Sequence, residues 1–203
     1  MSASKGDRKT NGMIEPKIQI IHHFEKFIKV SDSLRTELVN RVSLVTYQKN
    51  ALIIDANLVN TKSYYILNGL TRTYFIKDGK EINEYFSSDN EWANSPRSWR
   101  TGKPDIYYVS AIEKTIALCI NANDMLFLFD NFPELDRYGR LSMTTLLDHL
   151  IERITSFRFT TAKEKYVHFK QTYPDIYYRI PLGMVASYLG ISQETLSRLR
   201  TKK

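Results

Sequence analysis

The apolar residues of this 203-residue chain change their spacing twice, and that change constrains the fold more than any other feature of the sequence. From Ile18 to Leu44 they recur near the helical period, at Ile20, Ile21, Phe24, Phe27 and Ile28, then at Leu34, Leu38, Val39 and Val42. Ser31 or Asp32 is suited to cap the second of these helices. From Val45 to about Ile120 the texture becomes short runs of β-branched and aromatic residues: Leu52–Ile54, Tyr64–Leu67, Thr71–Ile76, Ile82–Phe86, Tyr107–Ala111 and Thr115–Ile120. Asp78-Gly79 marks a tight hairpin and Asn68-Gly69 another turn. Many short strands with frequent turns predict a small antiparallel barrel or roll. A polar loop with Trp92, Pro96, Arg97, Trp99, Arg100 and Gly102 is expected between Ser87 and Pro104.

The helical period returns from about Asp124. A long helix is expected between Pro133 and Phe157, where Met143, Leu147, Leu150, Ile154 and Phe157 alternate in steps of four and three. That heptad spacing makes a seam able to pack on a second copy of the chain, or alternatively on one intramolecular core. Leu146 and Ile151 flank the seam and are expected to face the body of the same subunit. A further helix is expected from Thr160 or Thr161 through Tyr173, ended by Pro174-Asp175. Ile176-Tyr-Tyr178 reads as a short strand leading into the last segment.

That segment, Ile180–Arg200, has the pattern of a helix-turn-helix. The first helix spans about Leu182 to Leu189, Gly190 tolerates the left-handed conformation that ends it, and Ser192 is a good N-cap for the second. Thr195 lies three residues after Ser192, so a reciprocal capping box is not expected. Leu196 and Leu199 share one side of the second helix and should form a small core with Val185, Leu189 and Ile191, Ala186 being small at the crossing. The opposite side carries Gln193, Glu194, Ser197, Arg198 and Thr201, all able to reach base edges or phosphates. The bland alternative is a short helical hairpin with a solvated face. Charge favours the first reading: the net formal charge is +7, and residues 151–203 hold ten Lys and Arg against four Asp and Glu.

Other classes are disfavoured. The lone Cys119 lies in the apolar run Ile116–Ile120, which excludes an intrachain disulfide and multi-cysteine iron–sulfur or zinc sites and fits a reducing cytoplasm. No stretch approaches the roughly 20 apolar residues of a membrane helix, and no secretory signal is seen. His22, His23, His149 and His168 fall in no metal-ligand pattern, so no metal and no cofactor are expected. Residues 1–17 are expected to be flexible; Met1–Asn11 are polar, and Met13 is an alternative native start.

The order barrel, long helix, helix-turn-helix resembles the Crp/Fnr family of bacterial transcription regulators over roughly residues 20–200. Tyr64-Tyr-Ile-Leu-Asn-Gly-Leu-Thr-Arg-Thr-Tyr74 looks like the family's barrel hairpin, and Leu189-Gly-Ile-Ser-Gln-Glu-Thr-Leu-Ser-Arg198 like its recognition segment. The resemblance implies an α+β chain. Its parts would be a cyclic-nucleotide-binding-like sensor domain at 18–132, a dimerisation helix at 133–158, and a DNA-binding helix-turn-helix at 159–203, winged-helix-like with a truncated wing. In the Fnr branch a Glu-x-x-Ser-Arg pattern reads TTGA-type half-sites, and Glu194, Ser197 and Arg198 match it. The implied partners are a second copy of the chain, palindromic double-stranded DNA and RNA polymerase, in the cytoplasm. The DNA-binding set is Gln193, Glu194, Ser197, Arg198, Arg200, Thr201 and Lys202, the last residues adding phosphate contacts. Departures matter equally. Asp105 and Ile106 fall where cyclic-AMP-binding members carry Arg and Ser, and a carboxylate there repels a cyclic phosphate. Trp92, Arg97, Trp99 and Arg100 are candidates for the pocket of an unidentified effector, or simply line a solvated loop. The competing function is a barrel-based small-molecule binder whose C-terminal helices serve assembly. A metal enzyme of the cupin kind is disfavoured because no His lies between Val45 and Ile120.

Overall fold

The computed structural model describes residues 5–159 and 161–201. Helices α1 (Lys5–Glu25) and α2 (Asp32–Arg41) precede strands β1 (Ser43–Tyr47), β2 (Leu52–Ile54), β3 (Lys62–Asn68), β4 (Leu70–Lys77), β5 (Lys80–Ser88) and β6 (Trp92–Ala93). A short helix α3 (Pro96–Thr101) leads to β7 (Tyr108–Ala111) and β8 (Thr115–Asn121). Then come α4 (Ala122–Asn131), α5 (Glu134–Ser156), α6 (Ala162–Thr172), α7 (Leu182–Leu189) and α8 (Gln193–Thr201). By internal contacts the chain forms two units. One holds residues up to Thr73 with Phe86–Leu141; the other holds Tyr74–Tyr85 with residues from Ser142 onward. The division falls inside α5, not before Pro133, and it groups the tip of the β4–β5 hairpin with the C-terminal helices.

Two four-stranded sheets, ordered β1-β8-β3-β6 and β2-β7-β4-β5, make the roll. The first sheet is apolar on both faces, and the strand period of two explains how. Tyr65 pairs with Leu118, and with Ile120 these side chains pack against Ile20, Ile21, Phe24, Leu34 and Leu38 of α1 and α2. The alternate residues Tyr64, Ile66, Ala117 and Cys119 cluster instead with Ile54, Ala93 and Val109. A strand buried on both faces reads as a continuous apolar run, which is what Ile116–Ile120 is. Cys119 is buried there, and burial pushes its thiol pKa up.

Local chemistry explains the turns. Asp78 and Gly79 both adopt positive φ (52° and 72°), as a two-residue hairpin turn of the primed type requires. Gly69 has φ of 132°, and a Cβ there would stand 2.7 Å from the Thr115 Cα, so only glycine fits. Ser31 caps α2, its hydroxyl accepting the Leu34 N–H at 3.3 Å and donating to Glu134 at 2.7 Å.

Three elements differ from the sequence reading. The chain is helical from Lys5, within the stretch expected to be flexible. Ile20, Ile21 and Phe24 anchor the C-terminal end of α1, and extending an anchored helix needs no new nucleus. The 87–104 loop contains β6 and α3. Ile176–Tyr178 is a turn, not a strand. Tyr177 and Ile176 donate back to the Tyr173 carbonyl at 3.0 and 3.3 Å, and the buried Ile176 side chain holds the segment in place of a ladder.

His23 reveals how tightly the first unit is packed. The Trp92 indole N–H donates to the Tyr138 hydroxyl at 2.8 Å, and that hydroxyl shares a further hydrogen bond with His23 Nε2 at 3.0 Å. Burial, and secondarily Lys26, lower the His23 pKa from 6.5 to about 4. The folded state therefore prefers the neutral ring. Its contribution is complete above pH 6.5 and is lost as pH falls toward about 4. Urea denaturation at pH 7 and pH 5 should show a larger loss of stability in the native chain than in a His23→Gln variant. Equal losses in both would show that His23 does not carry this part of the pH dependence.

Candidate nucleic-acid interface

The second unit is built to hold two short helices at a fixed crossing. Helix α6 starts with a full capping box: Thr161 accepts the Glu164 N–H at 3.2 Å, and the Glu164 carboxylate accepts the Thr161 N–H at 3.0 Å. Its inner face contributes Phe169, whose ring lies 5.2 Å from both Tyr173 and Tyr188. Tyr188, Val185, Ala186 and Leu189 make one buried side of α7. Gly190 (φ 66°, ψ 38°) ends α7 in the left-handed conformation, and the Ile191 N–H returns to the Ala186 carbonyl at 3.1 Å. Ser192 then caps α8, accepting the Thr195 N–H at 3.2 Å, while its hydroxyl lies 3.1 Å from that of Thr195.

This clamp divides α8 as its sequence pattern requires. Leu196 is fully buried and Leu199 half-buried, whereas Gln193, Glu194, Ser197, Arg198, Arg200 and Thr201 are exposed. The Glu194 carboxyl is held below the usual carboxylate range by its own backbone N–H, then by the Ser192 hydroxyl and by Arg198. It is therefore ionised at neutral pH and accepts hydrogen bonds only. Arg198 donates from Nε to the Glu194 carbonyl at 3.4 Å and is exposed. Arg200 is turned partly inward, with Nη2 3.5 Å from the Tyr177 carbonyl. The Gln193 amide lies over Gly183, where a Cβ would come within 2.7 Å of Nε2. Gly183 was not singled out from the sequence, because its role depends on where α8 crosses. Lys202 lies outside the described residues.

In its second half, α5 presents an unusual distribution. Met143, Leu147, Leu150, Ile154 and, just beyond the helix, Phe157 are all exposed, Ile154 at 60%. Leu146 and Ile151, expected to face the body of the subunit, are exposed as well, at 42% and 50%. They lie beside the heptad seam on the same side of the helix and widen it. The inner side is polar instead: His149 meets the Tyr85 ring at 5.6 Å, and Arg153 donates to Glu84 at 3.2 Å and to the Tyr188 carbonyl at 2.9 Å.

The proposed effector residues take separate roles. Trp92 belongs to the core network with Tyr65 and Tyr138. Arg97 is exposed and 3.8 Å from Asp105, and Arg100 is exposed. Trp99 carries a buried indole N–H with no acceptor among the described residues. The carboxylates nearby serve the roll's own backbone. Asp89 accepts the Gly69 N–H and Glu91 the Ser88 N–H, each at 2.7 Å. Asp105 accepts from the Ser95 hydroxyl at 2.9 Å and from the Ile106 N–H at 2.7 Å. Glu91 is half-buried, and desolvation raises its pKa. Among the described residues no three His, Cys, Asp or Glu side chains converge as a metal site, and no helix is long and apolar enough to cross a membrane.

No protein-family model and no curated protein matches the sequence. Solved structures do match. The CooA protein of Carboxydothermus hydrogenoformans is 18% identical, covering 84% of this chain and 77% of that one at a TM-score of 0.66. The c-di-GMP-responsive global regulator CLP of Xanthomonas campestris is 12% identical, covering 85% and 91% at 0.68. A crp/fnr-family transcriptional regulator of Eubacterium rectale is 18% identical, covering 83% and 81% at 0.65. The chain thus has the fold of the Crp/Fnr regulators, a cyclic-nucleotide-binding-like roll followed by a helical C-terminal domain.

Proposed function

We propose that this protein is a dimeric, sequence-specific DNA-binding transcription regulator of the Crp/Fnr type, not an enzyme, acting in the cytoplasm. The observation that carries the reading is the exposed polar edge of α8. Glu194, Ser197 and Arg198 stand on one side of a helix whose other side is fixed by Leu196 and the Ser192 cap. Arg198 suits guanine O6 and N7, and the ionised Glu194 suits a cytosine amino group, a pair compatible with TTGA-type half-sites. The exposed face of α5 supplies the second half of the reading. Apolar area of this extent on one helix favours a partner, and an identical α5 is complementary to its seam. Two-fold pairing then presents two copies of α8 to successive major grooves.

The roll supports an effector response other than cyclic AMP, or none. Asp105 is nearly buried, accepts from the Ser95 hydroxyl and the Ile106 N–H, and presents a carboxylate that opposes a cyclic phosphate. The alternative, a small-molecule binder whose helices serve only assembly, leaves the exposed polar edge of α8 without a role.

Titration of a TTGA-containing palindrome by mobility shift tests the reading, and failure to bind any duplex at low salt would refute it. In that assay Arg198→Ala should cost about 1–3 kcal/mol and relax preference at its base position. Equal weakening on all sequences would make Arg198 a phosphate contact. Ile154→Glu should move the protein from dimer to monomer in sedimentation and weaken DNA binding, whereas a dimer that survives would place the interface elsewhere. Saturating cyclic AMP should leave both the thermal midpoint and DNA affinity unchanged; a rise in either would overturn the role given to Asp105.

A further inference from the structure

Strand β5 is the edge of its sheet, and an edge strand turns alternate N–H and C=O groups away from the ladder. Glu81 and Asn83 are two residues apart, so their outward backbone groups point the same way. One hydroxyl satisfies both. Ser187 of α7 donates to the Glu81 carbonyl at 2.8 Å and accepts from the Asn83 N–H at 3.1 Å. A serine hydroxyl can donate and accept at once, which an alanine in its place could not do. The Asn83 side-chain amide adds a bond to the Met184 carbonyl, also on α7, at 3.4 Å. The next residue of the strand, Glu84, takes Arg153 Nε at 3.2 Å. The same guanidinium donates to the Tyr188 carbonyl at 2.9 Å and lies 3.9 Å from the centre of the Tyr188 ring. Arg153 is largely buried, and it neighbours Ile154 of the exposed seam. One cation and one hydroxyl thus join α5, β5 and α7.

We propose that Ser187 and Arg153 are positioning residues that set the spacing between half-sites which the dimer accepts on DNA. The inference rests on the reading of α8 as the DNA-reading helix and α5 as the pairing helix. With α5 on the two-fold axis, the placement of α7 and α8 relative to α5 within one copy fixes the distance between the two reading helices. Arg153 makes that placement with a planar, two-directional cation, a geometry that lysine does not reproduce. Neither residue needs to touch DNA.

The test uses the full chain, with Ser187→Ala and Arg153→Lys, against a set of TTGA palindromes whose half-site separation is lengthened or shortened by one and two base pairs. The native protein should prefer one separation by roughly tenfold, since each added base pair both displaces and rotates a half-site. In each variant, affinity at that separation should fall a few-fold and the preference over its neighbours should shrink to about two- or threefold. Base preference within a half-site should not change. A general loss of folded protein would weaken all separations equally, and that result, or an unchanged profile in both variants, overturns this inference while leaving the DNA reading intact. A native protein that binds no duplex overturns the DNA reading and this inference with it.

Discussion

The second half of helix α5 packs on its own unit through polar side chains and leaves an apolar stripe exposed to solvent, and the rest of the C-terminal architecture follows from that inversion. A surface helix ordinarily turns its apolar stripe inward. Here Met143, Leu147, Leu150 and Ile154 stay in water, while the inner side offers His149 and Arg153. A buried or half-buried guanidinium is stable only with well-placed acceptors. Glu84, the Tyr188 carbonyl and the Tyr188 ring provide them, and in doing so they tie a strand and a helix to α5. The proposed dimer covers the outer face. The inner face holds α7 and β5 by directional bonds, which fix orientation more sharply than apolar contact does.

The roll tells a complementary story. The central strands of its first sheet, β3 and β8, are sandwiched between helices and the second sheet and are among the most buried in the chain. At the β5–β6 turn and in the segment after α3, carboxylates that a sensor domain could offer to a ligand are engaged with the protein's own N–H and hydroxyl groups. Such bonds stiffen the segment and occupy its polar capacity.

Much of this was legible in the residues. The bounds of α7, the left-handed Gly190, the Ser192 cap and the Asp78-Gly79 turn all follow from local chemistry, because each depends on one residue's backbone freedom or hydroxyl. What was illegible depends on distant partners. Trp92 stands in a polar loop segment of the sequence, and only the fold brings Tyr138, 46 residues away, to accept its N–H. Ile176–Tyr178 has the composition of a strand but forms a turn closed on the Tyr173 carbonyl. Leu146 and Ile151 have the spacing of inward residues, yet the polar inner side of α5 leaves them outside. Ser187 reads as an ordinary helix residue, and its role exists only because β5 ends a sheet against it.

The sequence by itself determined the order of helices and strands, the turns between them and the chemical character of the α8 edge, since periodicity, glycine and capping groups act within a few residues of one another. The tertiary structure alone decided which polar groups are spent on the fold and which stay exposed. That division turns on hydrogen bonds across 69 and 106 residues, from Arg153 to Glu84 and from Ser187 to Glu81, and such pairings leave no periodic trace in the chain.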